Sequence, residues 1–251
     1  MHNIATTGTL RLADLKEKIV LVTGAAGAIG AAAVAAVRQA GGTAIATDLA
    51  AAGGIEKLDV TAESDWQRVT GDIERQHGRL DGLVNAAGIA IVGSIEKLDF
   101  ASWRRVLSIN LDGTFLGCKY AFPLLRKKGG SIVNLSSVLG LVGSSNLTAY
   151  NASKGGVSLL TKSVALNGAR YRPTVRCNAV CPAFVEGPMV DVIAHGTKNP
   201  EAVRQRLVND IPVGRMGRPE EVAGLCVYLL SDEAGFITGA DFPIDGGLTA
   251  K

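Results

Sequence analysis

The sequence has no apolar run long enough to cross a membrane and no apparent targeting segment. Hydrophobic residues make up 47% of its 251 residues, but they occur in strand-length runs, whereas a membrane-spanning helix needs about 20 consecutive apolar residues. Residues 1–10 are mostly polar and lack the apolar segment of a signal peptide. We therefore expect a cytoplasmic protein with no membrane partner and a loose N-terminal arm over residues 1–14.

Cysteine and histidine are also scarce. Four cysteines give no disulfide framework in a chain of this size, and Cys177 and Cys181 would lie about 13 Å apart along a strand, beyond the roughly 7 Å Cα limit of a disulfide. The three histidines are not spaced like metal ligands. The formal net charge of +3 is small, and Lys127-Lys128 fits a solvated loop. The sequence thus predicts no metal site and no nucleic-acid partner.

What the sequence does contain is a regular alternation of strand-like and helix-like segments. Predicted strands cover residues 19–23, 43–47, 57–60, 82–85, 131–135, 175–180 and 242–244. Predicted helices cover residues 31–40, 62–77, 101–125 (one helix or two abutting ones), 149–169 and 219–230. Such alternation is typical of a parallel sheet with helices on both faces. We predict an α/β fold: a single Rossmann-type, doubly wound domain of about seven strands over residues 15–251.

One segment interrupts this alternation. Residues 184–207 contain Pro188, Gly196 and Pro200, which break regular structure. Closing segments of this kind often cover a bound substrate. We predict that residues 184–207 form a substrate lid.

A nucleotide-binding turn follows the first predicted strand. The run Ile19–Thr23 leads into Gly24-Ala25-Ala26-Gly27-Ala28-Ile29-Gly30, and the alanine-rich stretch Ala31–Ala40 favours a helix. Strand, glycine turn and helix in this order are the context of a dinucleotide-phosphate site. Glycine allows the backbone to approach a pyrophosphate, and the helix N-terminus offers free N–H groups.

The charge after the second predicted strand bears on the choice between NAD and NADP. Asp48 stands where a carboxylate accepts hydrogen bonds from the adenosine ribose hydroxyls and repels a 2′-phosphate. No lysine or arginine follows it closely, because residues 49–52 are Leu-Ala-Ala-Ala. The sequence therefore predicts NAD as the cofactor.

Tyr150 and Lys154 are spaced i and i+4 on a predicted helix, about one turn apart on one face. A free tyrosine has a pKa of about 10 and is a poor base at neutral pH. A neighbouring positive charge favours the phenolate and typically lowers such a pKa by about 1–3 units. We therefore expect Lys154 to lower the pKa of Tyr150.

These motifs together resemble the short-chain dehydrogenase/reductase family. The glycine turn, Asn85-Ala86-Ala87-Gly88, the serine of Asn134-Leu135-Ser136-Ser137 and the Tyr-x-x-x-Lys pair match its signature, and the resemblance runs from about residue 16 to the C-terminus. Two positions depart from the family pattern. Ala28 stands where the middle glycine of the turn is usual, and Gly187 stands where a threonine that contacts the nicotinamide carboxamide is frequent.

The resemblance implies a homotetrameric oxidoreductase that transfers hydride between NAD and a small-molecule alcohol. Its catalytic residues would be Asn110, Ser137, Tyr150 and Lys154. Its cofactor-binding residues would be Gly24, Gly27, Ile29, Asp48, Asp59, Val60, Asn85, Ala86, Gly88, Tyr150, Lys154, Pro182 and Val185. In the family pattern Ser137 holds the substrate oxygen and Tyr150 takes the hydroxyl proton. Lys154 binds the nicotinamide ribose, and Asn110 positions a water that relays the proton.

The expected substrate pocket is apolar. We predict that Leu139, Leu141, Val142, Leu147, Phe184 and Met189 line it, which favours a cyclic, steroid-like secondary alcohol or its ketone. The loop Asn167–Val175 is about two residues longer than is usual and resembles that of some bacterial hydroxysteroid dehydrogenases. Two alternatives stay open: a 3-oxoacyl-carrier-protein reductase, which normally uses NADPH, and a non-catalytic protein that senses nucleotides.

Overall fold

A parallel sheet forms the centre of the structure, a computed structural model that describes residues 13–195 and 199–250. Seven strands pair in parallel within these residues. They are β1 (Ile19–Thr23), β2 (Thr43–Asp48), β3 (Glu56–Lys57), β4 (Gly82–Asn85), β5 (Gly130–Leu135), β6 (Val175–Pro182) and β7 (Asp241–Ile244). The predicted arm over residues 1–14 lies outside the described residues, apart from its last two.

The strand order β3-β2-β1-β4-β5-β6-β7 makes the sheet doubly wound. The chain runs outward from β1 to β3, returns to place β4 beside β1, and then runs outward to β7. The carboxyl ends of β1 and β4 meet where the direction of winding reverses, with Thr23 paired to Asn85. Ligands bind at this point in open parallel sheets. The prediction of an α/β, doubly wound fold with about seven strands is confirmed.

Helices cover both faces of the sheet. On one face pack α1 (Ala28–Gln39) and α8 (Pro219–Leu230); on the other pack α2 (Glu63–His77), α4 (Gly113–Leu125) and α5 (Thr148–Gly168). The remaining helices are α3 (Phe100–Leu107), α6 (Pro188–His195) and α7 (Pro200–Asp210). The predicted lid corresponds to α6, most of α7 and the residues around them, of which 196–198 lie outside the described part of the chain.

The apolar strands supply two cores. Val20 and Val22 of β1 pack with α1 and α8, whereas Leu21 packs with α2 and α4 on the opposite face. All five residues of β1 are buried. Strands of a parallel sheet that is covered on both faces are expected to be apolar throughout, and this rigid sheet fixes the positions of the loops at its carboxyl edge.

The third strand is shorter than predicted. It ends at Lys57 instead of Val60, because the polar groups of Asp59 are used in a turn. The Asp59 N–H donates to the Asp65 carboxylate, and the Asp59 carboxylate accepts from the Thr61 N–H and hydroxyl.

Two helix boundaries also differ from the prediction. The first helix begins at Ala28, three residues before the predicted start at Ala31. The predicted 101–125 helix consists of α3 and α4, joined by a π-helical turn at Ser108–Asp112 in which the Gly113 N–H donates to the Ser108 carbonyl. None of the helices in the described ranges has both the length and the apolar character that spanning a membrane requires.

Candidate active site

A cavity of about 740 Å³ opens at the carboxyl edge of the sheet. It is bounded by the loops after β1, β2, β4, β5 and β6, by one face of α5 and by the start of α6. Twelve of the thirteen predicted cofactor-binding residues line it: Gly24, Gly27, Ile29, Asp48, Asp59, Val60, Ala86, Gly88, Tyr150, Lys154, Pro182 and Val185. The topology therefore brings residues from distant parts of the sequence to one surface.

The glycine turn requires glycine for close packing. Gly24 has a φ of +67°, and a Cβ added there would lie 2.7 Å from the backbone nitrogen of Ala87. A Cβ at Gly30 would lie 2.0 Å from the carbonyl oxygen of Gly24. The N-cap of α1 is Gly27, which has no side chain to cap the first N–H groups. These N–H groups are available to an anion, so this end of the cavity fits the pyrophosphate of a dinucleotide.

Asp48 lies at one end of the same cavity. Its carboxylate accepts hydrogen bonds from the Ala26 N–H at 2.9 Å and from the Leu49 N–H at 2.7 Å. The first bond ties the end of β2 to the glycine turn. Because each carboxylate oxygen has more than one lone pair, Asp48 retains acceptor sites for the hydroxyls of a ribose.

Tyr150 and Ser137 meet in the cavity, and both are buried. Ser137 follows β5 at the start of a 3₁₀ turn, where its Oγ accepts from the Leu139 N–H and donates to the Pro182 carbonyl. Burial raises the pKa of Tyr150 to about 12, while a hydrogen bond with Ser137 acts to lower it. The Tyr150 hydroxyl also lies 3.9 Å from Sδ of Met189.

Lys154 lies one turn further along α5, and its Nζ is 5.7 Å from the centre of the Tyr150 ring. The ammonium donates to the Leu135 carbonyl at 2.6 Å. Burial lowers the pKa of Lys154 to about 8. The prediction that Lys154 holds the pKa of Tyr150 below its usual value is wrong for this structure, because the desolvation of the phenol dominates.

Asn110 does not line the cavity, unlike the other three predicted catalytic residues. It is buried in the π-helical turn, where Oδ1 accepts from the Ile89 N–H while Nδ2 donates to the Ile89 carbonyl and to Ser153 Oγ. Its own carbonyl accepts from the Thr114 hydroxyl at 2.7 Å. The side chain therefore holds the loop after β4 against α5, which makes Asn110 a positioning residue here.

Asn85 is the predicted cofactor residue that does not line the cavity. Its side chain points into the protein beneath the sheet edge, where Nδ2 donates to Asn134 Oδ1 at 2.9 Å. Asn134 in turn donates to the Thr161 hydroxyl. Buried amides need such partners, so this pair links β4, β5 and α5 beneath the cavity.

The predicted substrate pocket is only partly correct. Four of its residues line the cavity: Leu139, Leu147, Phe184 and Met189. Leu141 and Val142 do not, and they are 42% and 46% exposed. Asn151 explains their position, because its Nδ2 donates to the carbonyls of Leu139 and Val142 and so holds this turn with the two side chains in solvent.

Sequence reasoning missed three residues that bear on the site. Ser136 fixes the catalytic helix to the sheet, since its Oγ donates to the Lys154 carbonyl; the doubled serine after β5 is the signal that could have identified it. Arg105 and Glu186 line the cavity and are exposed, so the cavity wall carries charge at its rim. No short sequence pattern marks either of them.

Val185 is held in a defined orientation by a parallel bridge to Gly217. The Gly217 N–H donates to the Phe184 carbonyl, and the Glu186 N–H donates to the Gly217 carbonyl. In parallel pairing the residue between these two bonds directs its own N–H and carbonyl to the other side. The Val185 backbone is thus turned away from Gly217 and is available to a ligand in the cavity.

This arrangement can exchange a proton and orient a carbonyl or hydroxyl group. A buried phenol and a buried serine hydroxyl adjoin one another in the cavity, with a buried amine one helical turn away. The glycine turn, whose free N–H groups suit a pyrophosphate, lines the same cavity. Together they suit hydride transfer that is coupled to proton transfer.

Comparison with known proteins agrees with this chemistry. The family model described as "Enoyl-(Acyl carrier protein) reductase" matches residues 24–249. The NADP-dependent (R)-specific alcohol dehydrogenase of Lentilactobacillus kefiri is 42% identical over 195 residues, which cover 77% of this chain and 75% of that protein. The trans-4-hydroxycyclohexanecarboxylate dehydrogenase of Sinomonas cyclohexanicum is 37% identical over 262 residues, covering 96% of each.

A solved structure supports the same relationship. The ligand-free aldohexose dehydrogenase of Thermoplasma acidophilum aligns with a TM-score of 0.89 and 35% identity, over 96% of this chain and 97% of that one. The family match, the full-length relatives and the site geometry agree that this protein is an oxidoreductase of the short-chain dehydrogenase/reductase family, which uses a nicotinamide cofactor.

Proposed function

We propose that this protein is an NAD-dependent dehydrogenase that interconverts a secondary alcohol and its ketone, with an apolar cyclic substrate of the kind that includes steroids. The observation that carries the proposal is the meeting of Tyr150 and Ser137 in the cavity that Asp48 also lines. The homotetramer and the cytoplasmic location that the sequence implied stay predictions.

The reaction requires a group that accepts the alcohol proton. Ser137 would hold the substrate oxygen beside Tyr150, and the Tyr150 phenolate would accept the hydroxyl proton as the carbinol hydrogen leaves with its electron pair. When bound, the oxidised nicotinamide supplies a hydride acceptor and a positive charge. In the reverse direction, the Tyr150 phenol returns the proton to the carbonyl oxygen.

Lys154 would act on the base and on the cofactor. Its pKa of about 8 lets it exchange protons near neutral pH, and its hydrogen bond to the Leu135 carbonyl holds it at the cavity wall. From there the amine would bind the nicotinamide ribose.

Asp48 supports the choice of NAD. Its carboxylate is fixed by two backbone N–H groups, so it cannot easily turn away from a 2′-phosphate. The L. kefiri relative is NADP-dependent by name, and membership of the family therefore does not decide the cofactor. The residue at the end of β2 does so in this proposal.

The cavity lining supports an apolar substrate. Leu139, Leu147 and Phe184 border the space beside the catalytic hydroxyls. Burying a ring against such a wall contributes roughly 25 cal/mol per Å² of apolar surface. The S. cyclohexanicum relative acts, by its name, on a six-membered ring that carries a carboxylate. Because Arg105 lies in the cavity wall, a ring with a carboxylate belongs among the substrates to be tested.

The test is the cofactor preference of the wild type and of Asp48→Ala. We expect the kcat/KM of the wild type to favour NAD over NADP by at least about tenfold, which needs only about 1.4 kcal/mol. Asp48→Ala should narrow this gap, because it removes both the ribose contact and the repulsion. Steady-state assays would measure this cofactor preference. The same assays with cyclohexanol, a hydroxysteroid, a linear secondary alcohol and a hydroxycyclohexanecarboxylate would rank the substrates by kcat/KM.

Asp59→Asn is the matched control. Asp59 lines the same cavity, but its carboxylate accepts hydrogen bonds from Thr61. The Asp59→Asn variant should therefore keep nearly the wild-type ratio of kcat/KM with NAD to kcat/KM with NADP. Equal efficiency of the wild type with both cofactors would contradict the role of Asp48. Preference for NADPH with a 3-oxoacyl thioester would favour the carrier-protein reductase, and cofactor binding without turnover on any substrate would favour a nucleotide sensor.

A further inference from the structure

Ala28, at the start of α1, lies beside Gly187, which precedes α6. Gly187 precedes α6 and has a φ of +142°, a conformation that residues with side chains rarely adopt. A Cβ built on Gly187 would lie 2.7 Å from the Cβ of Ala28. Real Cβ atoms essentially never approach this closely, so the methyl of Ala28 fills the space that a side chain at 187 would need.

These are the same two positions at which the sequence departs from its family pattern. The extra methyl at 28 and the missing side chain at 187 lie against each other. The two departures therefore concern one packing contact, in which the Ala28 methyl occupies the space left by the missing side chain of Gly187.

The contact lies between the cofactor end and the catalytic end of the cavity. Ala28 is the first residue of α1, whose N-terminal N–H groups form the phosphate site. On the other side, Gly187 is two residues from Met189, whose sulfur contacts the Tyr150 hydroxyl. A shift of the chain at 187 would thus reach both ends of the site.

We propose that Ala28 and Gly187 are coupled positioning residues: the alanine methyl supports the backbone of Gly187, seats the first turn of the lid on the phosphate-binding turn, and so sets the affinity for the nicotinamide cofactor. The proposal rests on the proposed function, since it assigns the pair a role in holding that cofactor. On this proposal, glycine at 187 and alanine at 28 depend on each other, because a side chain at 187 would clash with the Ala28 methyl.

The test is a double-mutant cycle with Gly187→Ala, Ala28→Gly and the double variant. Dissociation constants for NADH, from its fluorescence, are measured beside KM for NAD and kcat. Gly187→Ala should weaken NADH binding by at least roughly tenfold, through the clash and the backbone strain. Ala28→Gly should weaken it less than about threefold. In the double variant the loss should be at least about threefold smaller than in Gly187→Ala, because the clash is gone and the strain remains.

Two further variants keep the result open to refutation. Ala28→Val enlarges the contact from the other side without changing φ at 187, and it should also raise KM for NAD more than it lowers kcat. Gly217→Ala is the control: its Cβ would lie an ordinary 3.5 Å from Val185 Cγ2 in the same paired segment, and NADH binding should stay close to that of the wild type. Thermal melting of each free protein separates loss of folding from loss of binding.

Several results would overturn the pairing. Losses that simply add in the double variant would show that the two residues act independently, and full binding by Gly187→Ala or Ala28→Val would show that the contact is not limiting. If the wild type binds NADH, each of these results rejects the coupling of Ala28 with Gly187 and leaves the proposed function standing. A wild type that binds no nicotinamide cofactor would instead reject the proposed function, and the role of the pair with it.

Discussion

The two walls of the cavity are built in different ways. The wall made by the end of β5 and by α5 carries Ser137, Tyr150 and Lys154, which are all buried. The predicted lid segment borders the cavity through α6, where Met189 is 38% exposed, and it continues into α7, which contains no buried residue. On the first wall, Ser137 and Lys154 are fixed by hydrogen bonds to backbone carbonyls and N–H groups, whereas the lid segment borders the cavity mainly with apolar side chains such as Met189 and Val192.

This difference follows from the cost of burying polar groups. A buried hydroxyl or amine destabilises the fold by a few kcal/mol unless it is paired, so each polar group of the β5–α5 wall has a specified partner and position. Apolar side chains on an exposed segment carry no such requirement. We infer that the β5–α5 wall determines the chemistry and that the lid adjusts the affinity for the ligands. Substitutions on the β5–α5 wall should therefore change mainly kcat, and substitutions on the lid should change mainly KM.

The largest effect should come from the β5–α5 wall, with Tyr150→Phe. This change removes one oxygen and keeps the ring, so the fold and NADH binding should be preserved. The kcat should fall by roughly 10²–10⁴-fold, the usual worth of a positioned acid–base group. Tyr120→Phe is the control, because the Tyr120 hydroxyl hydrogen-bonds with the side chains of Gln67 and Glu63 at the surface, away from the cavity. A Tyr150→Phe enzyme that keeps most of its kcat would refute the assignment of the base.

The next effect concerns pH and Ser137. The hydrogen bond from Ser137 acts to lower the pKa of Tyr150 against the effect of burial, so Ser137→Ala should raise that pKa further. Since oxidation needs the phenolate, the rising limb of log kcat against pH should move to higher pH. At neutral pH, kcat should fall about tenfold for each 1.4 kcal/mol by which the phenolate loses stabilisation.

Ser136→Ala separates this effect from a change in packing. Ser136 contacts the Lys154 carbonyl and Ser158 but not the phenol, so its loss should lower the melting temperature without moving the pH profile. If both serine variants shifted the profile equally, the specific link between Ser137 and Tyr150 would be rejected.

The sequence predicts the sheet better than it predicts the site, because the two depend on interactions of different range. Strand and helix periodicity is local, and the apolar run at Ile19–Thr23 is sufficient to indicate a buried parallel strand. The predicted end of β3 is wrong because the turn there depends on how Asp59 pairs with Asp65 and Thr61. The pattern of hydrophobic residues does not indicate these hydrogen bonds.

Within the site, motifs identified which residues gather but not what each of them contacts. Asn85 and Asn110 lie close to the cavity as expected, yet their amides are used by Asn134 and by the Ile89 backbone. The pKa of Tyr150 depends on the balance between burial and charge, which spacing along a helix cannot supply. The contact of Ala28 with Gly187 joins segments far apart in the chain, and only the folded protein shows it.

The smallest effect should come from the lid, with Met189→Ala. Truncation removes the sulfur contact to the Tyr150 hydroxyl and an apolar surface beside the substrate. Losing the apolar surface of Met189 beside the substrate should cost about 1 kcal/mol, so we expect KM for the alcohol to change by roughly twofold to tenfold, while kcat with a saturating substrate stays within about threefold. Met189→Leu preserves the volume and should restore KM toward the wild-type value, because a volume-conserving exchange disturbs packing least.

Steady-state kinetics on a ring-containing and on a linear alcohol would measure both Met189 variants, and KM for the ring-containing alcohol should show the larger change. A collapse of kcat comparable to that of Tyr150→Phe would mean that the lid takes part in the chemistry, and the division of labour between the two walls would then be wrong.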